Sequence, residues 1–122
     1  MKVKHFMVIV IVFAIAGGCT KDTVKPRVIP VIPAAPTTLS GDLQPVFTSN
    51  CALSGCHAGD QDPDLSAGVA YSSLMNGGYV DTANPDTSKI YLKLNSGSMA
   101  VNSYPAFTSK VLQWITEGAK NN

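Results

Sequence analysis

Three residues of this chain have types and a spacing that could do chemistry together. They lie in Cys51-Ala52-Leu53-Ser54-Gly55-Cys56-His57, a C-x4-C-H pattern. Two neighbouring thiols with an imidazole directly after the second are what covalent attachment of a c-type haem requires. Each thiol makes a thioether to one vinyl group, and the histidine sits under the iron. The usual spacing is C-x-x-C-H. The extra two residues lengthen the loop without moving Cys56 relative to His57, and Gly55 helps the backbone make the tighter approach. The same residues admit other chemistry. A Cys51–Cys56 disulfide suits an oxidising compartment and leaves His57 a bystander. Structural zinc needs four ligands, and beyond residue 18 the only other Cys or His is Cys19. A Cys-His nucleophile pair has no orienting third group, and adjacent residues seldom aim their side chains at each other. After residue 18, His57 is the only histidine, and Cys51 and Cys56 are the only cysteines besides Cys19.

The elements that must position these residues are short. Leu43, Val46 and Phe47 fall at i, i+3 and i+4, which predicts a helix ending near Asn50, capped by Ser40 or Asp42. Pro45 fits such a helix only in its first turn. Ser66 is the expected cap of a second helix with Val69, Ala70 and Leu74 inward, stopped at Gly77-Gly78. Asn84-Pro85-Asp86 is a turn, after which Ser88 opens a helix carrying Ile90, Tyr91 and Leu94. The strongest periodicity is the last: Phe107, Val111, Trp114 and Ile115 at i, i+4, i+7 and i+8, with Gly118 at the C-terminal cap. No segment alternates convincingly, so the expected fold class is mostly α, short helices joined by long loops. Asp60, Asp62 and Asp64 invite a calcium reading. However, Leu65 and Tyr71 stand where an EF-hand loop has Gly and Glu, and a solvated loop is the expectation. An 84-residue domain of this kind, from Leu39 to Asn122, has a small core for its size and invites a supplement.

Ahead of the domain the composition changes. Thirteen of the first eighteen residues are apolar, with Lys2 and Lys4 before an uncharged run from Phe6 to Ala16. That run is shorter than the ~20 residues a bilayer span needs and has the proportions of a signal peptide. Ala16-Gly17-Gly18 before Cys19 resembles a bacterial lipobox, with Ala16 where Leu is usual. Residues 1–18 are therefore expected to be a lipoprotein signal, and Cys19 the lipidated first residue of an exported chain. Pro26, Pro30, Pro33 and Pro36 make residues 19–38 an extended, polyproline-like tether. Beyond residue 18 the chain has seven basic and eight acidic side chains. That balance argues against nucleic acid and against a polybasic membrane patch.

The motifs also resemble a family. Leu43-Gln44-Pro45-Val46-Phe47, Asn50-Cys51-Ala52 and Ser54-Gly55-Cys56-His57 are similar to the haem-binding segment of a small cytochrome c family common in exported lipoproteins of Bacteroidetes and Planctomycetes. Asn84-Pro85-Asp86-Thr87-Ser88 with Ile90-Tyr91, and Trp114-Ile115 with Gly118-Ala119, resemble its later turn and helices. The resemblance spans residues 39–122 and implies a cytochrome c-like domain around one covalent haem c. Cys51 and Cys56 would carry the haem and His57 would be the proximal ligand. Met99, on the loop before the last helix, would be the distal one, although Met99-Ala100-Val101 replaces the family's Met-Pro-Pro. Met75 is expected in the core. Phe47, Tyr91 and Trp114 are candidates to line the haem. The implied function is a lipid-anchored carrier of single electrons between redox proteins of the bacterial envelope, facing periplasm or cell surface, and not an enzyme. Two alternatives stay open at this stage. One is a haem-based gas sensor or peroxidase-like domain with an open iron. The other is a haem-free, disulfide-stapled binding lipoprotein.

Overall fold

The structure is a computed structural model and describes residues 35–122. The expected signal segment, Cys19 and the tether as far as residue 34 lie outside the described residues. Helical segments cover about half of the described residues, and no strand is found among them. The mostly α expectation holds at that level.

The first helix, α1 (39–51), is composite. A π-helical turn Leu39–Leu43 runs into an α-helical turn Gln44–Val46 and a second π-helical turn Phe47–Cys51. Its buried residues are Leu39, Leu43, Phe47 and Cys51, a strict spacing of four. In an ideal α-helix a spacing of four drifts about 40° around the axis per step, so the stripe would leave the core face within three steps. Mixing wider π turns with the α turn raises the residues per turn and keeps all four on one side. Pro45 consequently lies beyond the first turn. It directly follows the wide π bond from the Gln44 N–H to the Leu39 carbonyl, where the usual ladder is already interrupted.

The cap of α1 is Thr38, not Ser40 or Asp42. Its hydroxyl accepts from the Gly41 N–H at 3.2 Å, while the Thr38 N–H donates to the Asp42 carboxylate at 2.9 Å. This is a capping box with the acid one position further on, as the wider turn requires. Two other orphan N–H groups of this turn find partners far along the chain. Leu39 donates to the Asn122 side-chain oxygen at 3.0 Å and Ser40 to the Asn122 carbonyl at 2.8 Å. Thr37 is buried and donates its N–H to Glu117 at 2.8 Å. Thr37 and Thr38, expected in the tether, thus belong to the folded unit.

Helix α2 (Ala70–Asn76) buries Ala70 and Leu74, but Val69 is exposed. Ser66 opens a preceding turn, its carbonyl accepting from the Val69 and Ala70 N–H groups, and this turn rotates Val69 outward. Tyr79 donates to Leu74 and Gly78 to Met75, the paired bonds of a Schellman stop, with Gly78 at φ 66°. A 3-10 turn Pro85–Thr87 leads to α3 (Lys89–Asn95), which buries Ile90 and Leu94. Ser88 is buried but does not cap α3. Its hydroxyl accepts from the Asp81 N–H at 2.9 Å and pins the preceding segment.

A second 3-10 turn, Ala100–Asn102, precedes α4 (Pro105–Thr116). Helix α4 buries Phe107, Val111, Trp114 and Ile115, as its periodicity predicts. It packs against α1 and α3, and the Phe47 and Phe107 rings meet edge to face at 5.7 Å. Gly118, at φ 98°, closes α4 with Ala119 donating to Trp114 and Gly118 to Ile115. Lys110 on α4 reaches the Asp42 carboxylate on α1 at 2.6 Å.

Two predictions follow from these ends. Gly118→Ala forces a Cβ into a left-handed conformation, so it should cost about 1 kcal/mol and lower the midpoint of thermal unfolding by about 4–8 °C. The Lys110 ammonium, then the Thr38 N–H and hydroxyl, hold the Asp42 carboxyl down to about 2. A depressed carboxyl stabilises above its unfolded pKa of about 4, and that contribution disappears as pH falls through about 2. Asp42→Asn should therefore lower the melting temperature at pH 6 and change it little at pH 2.

Candidate functional site

Cys51 ends α1 and is 8% exposed, held inward by the same stripe that buries Phe47 one turn earlier. At Ala52 the chain leaves the helix, after its N–H donates to the Phe47 carbonyl at 2.7 Å. The segment then closes on itself. Cys56 donates its N–H to Leu53 at 2.9 Å, and His57 donates to the Cys51 carbonyl at 3.1 Å. The last residue of C-x4-C-H is therefore bonded back to the first, and Cys56 is carried on an exposed bend between them. Gly55 makes the bend at φ 77°, in the left-handed region that favours glycine. Its N–H donates to the Asp60 carboxylate at 2.7 Å and its carbonyl accepts from Gln61 Nε2 at 2.9 Å.

The imidazole is half-buried and oriented. Its Nδ1 lies 2.9 Å from the Pro63 carbonyl and 3.3 Å from that of Gln61. A carbonyl cannot donate, so Nδ1 carries the proton in these bonds. In the neutral ring Nε2 then keeps its lone pair, the state a metal-ligating histidine needs. The His57 carbonyl accepts from Leu65 at 2.8 Å, which anchors the loop to a buried core residue. Both cysteines are free thiols. Burial, and secondarily the neighbouring Cys56, push the Cys51 thiol pKa up. Cys51 is thus kept protonated, while Cys56 is open to reagents.

The other candidates are placed as follows. Phe47 and Trp114 are fully buried, and the Trp114 indole N–H is engaged by the Lys120 carbonyl at 2.9 Å. Tyr91 is half-buried on α3. It borders a groove of about 620 Å³ between α3 and α4, together with Leu94, Tyr104 and Leu112. Cys51, Cys56 and His57 do not line that groove, so it and the C-x4-C-H chemistry are separate features. Met99 sits at the start of the turn Ala100–Asn102, half-buried against the core that includes Cys51. Met75 is half-buried against the same core, so burial does not separate the two methionines. The Asp60, Asp62 and Asp64 run serves local structure. Asp64 is held below the usual carboxylate range by the Ser66 hydroxyl and amide, and it accepts the Ser66 N–H at 2.9 Å. Among the described residues no three His, Cys, Asp or Glu side chains are grouped to share a metal ion.

Sequence reasoning did not find Pro63, Asp60 or Gln61 as parts of this site. Pro63 acts through a main-chain carbonyl, which has no side-chain signature. Comparison with family models, curated proteins and solved structures finds no match for the chain.

The residues present fit a covalently held haem. Two unbridged thiols flank a closed loop, and an imidazole with its Nδ1 proton engaged offers Nε2 to an iron. The exposure difference is directly measurable. In the unmodified chain at pH 8, an alkylating reagent should modify Cys56 at least about ten times faster than Cys51, read by peptide mass. Equal rates would show that Cys51 is not shielded.

Proposed function

We propose that the chain is a lipid-anchored monohaem c-type cytochrome, with a cytochrome c-like domain that carries single electrons between redox proteins of the bacterial envelope. The observation that carries this reading is the oriented imidazole. His57 donates Nδ1–H to Pro63 while the two free thiols stand on the loop that its own N–H closes. Such a carbonyl partner fixes the ring's orientation and tautomer.

Cys51 and Cys56 would hold a haem by thioethers, each S–H adding across one vinyl group with no net oxidation, and His57 through Nε2 and Met99 through its sulfur would hold its iron. Haem, when bound, supplies a one-electron couple at the iron. The chain excludes water and holds the ligands. Phe47 lies one turn before Cys51 in the buried stripe of α1, and Trp114 in the core and Tyr91 at the edge of the α3–α4 groove are the further aromatic groups proposed to line a haem. Surface composition supports the reading as well. Leu53, inside the C-x4-C loop, is 47% exposed, and Val101, two residues after Met99, is 88% exposed. A porphyrin has two apolar faces to cover, and apolar surface beside both expected ligands suits it. A net charge near zero fits weak, transient encounters with redox partners.

The test is covalent haem content. The full chain is expressed in a host with c-type haem maturation, then denatured, and absorption and mass are recorded together. Haem retained on the denatured chain is expected, along with failure of the native ferrous protein to bind carbon monoxide if Met99 fills the sixth position. A haem-free chain with Cys51 bridged to Cys56, from a host that matures a control cytochrome, would sink the reading. Ready carbon monoxide binding would remove Met99 and leave an open iron.

A further inference from the structure

A loop with four residues between its cysteines has more conformations than one with two, and the penalty grows with each added residue. The bonds that close this loop from within are main-chain ones, Cys56 to Leu53 and His57 to Cys51. They leave the task of holding the Gly55 N–H and the Gly55 carbonyl to other groups. That task falls to two side chains just after His57. Asp60 accepts the Gly55 N–H at 2.7 Å, and Gln61 Nε2 donates to the Gly55 carbonyl at 2.9 Å. Together they hold the glycine by its donor and its acceptor, from the opposite limb of the loop. Gly55 has no Cβ contact within 4 Å and a positive φ, so side-chain packing does nothing to hold it. Asp60 and Gln61 are exposed and have no role in the hydrophobic core.

We infer that Asp60 and Gln61 are positioning residues that pre-order the C-x4-C-H loop, so that Cys51 and Cys56 meet the two vinyl groups of one haem. The inference rests on the haem reading above and deepens it. Gln61 has a second connection to the site, since its own carbonyl lies 3.3 Å from His57 Nδ1. The clamp on Gly55 and the orientation of the imidazole therefore share a residue.

The experiment compares the full chain with Asp60→Ala/Gln61→Ala and with Asp60→Asn, which keeps a carbonyl oxygen to accept from Gly55. Two readouts are taken. On the chain before haem attachment, hydrogen exchange of the Gly55 amide should speed up about fivefold or more in the double variant, as expected for the loss of two exposed hydrogen bonds. In Asp60→Asn it should remain close to the parent rate. After expression with c-type haem maturation, the fraction of chain holding haem through one thioether should rise about fivefold in the double variant. Mass after proteolysis and the position of the visible α band report this fraction, because one unsaturated vinyl remains. Thermal melts confirm that both variants fold. A parent chain that attaches haem normally, with a double variant equal to it in both readouts, would overturn the inference alone. A parent chain that attaches no haem would overturn the haem reading and this inference with it.

Discussion

Everything near the candidate site depends on the requirement that Leu39, Leu43, Phe47 and Cys51 share one face of α1. The spacing of four is incompatible with a long ideal α-helix, and the helix yields by widening its first and last turns. Burying a large apolar side chain contributes about 1.5–3 kcal/mol, so a stripe of this kind readily outweighs the poorer geometry of a few π-type bonds. The result places the thiol at the helix end in the buried row of the domain. The same adjustment gives Pro45 a place in the middle of a helix.

The C-x4-C-H loop and its scaffold are organised on different scales. The bonds that close the loop around Gly55 and orient His57 are local: Cys51, Leu53, Asp60, Gln61, Pro63 and Leu65 all lie within one short stretch of chain, which Gln44 on α1 ties down at the Leu65 carbonyl. The frame that carries this stretch is held by contacts of long sequence separation, among them Phe47 on Phe107 and Lys110 on Asp42. Cys51 belongs to both, as does the buried Leu65 at the loop's far end. Cys51 terminates the scaffold helix and begins the loop, so movement at either level is felt at its sulfur. This division lets loop chemistry be altered at Asp60 or Gln61 without opening the core.

The periodic parts of the fold were legible in the sequence. Helix α4 buries the four residues its pattern marks, and Gly118 closes it, because periodicity and a terminal glycine report purely local physics. The short helices were legible in position but less so in detail. Val69 faces outward because Ser66 forms a separate turn, and Ser88 turns its hydroxyl to Asp81 and away from its helix. The cap at Thr38 was missed because α-helical spacing was assumed for a π turn. Within the site, Cys51, Cys56 and His57 stood out by type and count. Pro63 did not, since it contributes a carbonyl that every residue possesses. Met75 and Met99 remain alike in burial, and no pattern in a single sequence measures which sulfur can reach an iron.

The bond from Leu39 to Asn122 spans 83 positions, and the helix whose end carries Cys51 begins at that bond. A chain delivered across a membrane from its N-terminal side presents α1 early, when neither Asn122 nor Glu117 has yet emerged. Its first turn then has to wait, with two N–H groups facing water, until the far segment arrives to accept them. Loop closure over such a span is slow to form but costs little more than closure over half the distance. A chain that emerges gradually therefore carries a helix whose first turn is fully capped only once Asn122 is in place. A protease that trimmed a few residues near Asn122 would act at a distance, loosening the start of the helix that ends in the thiol.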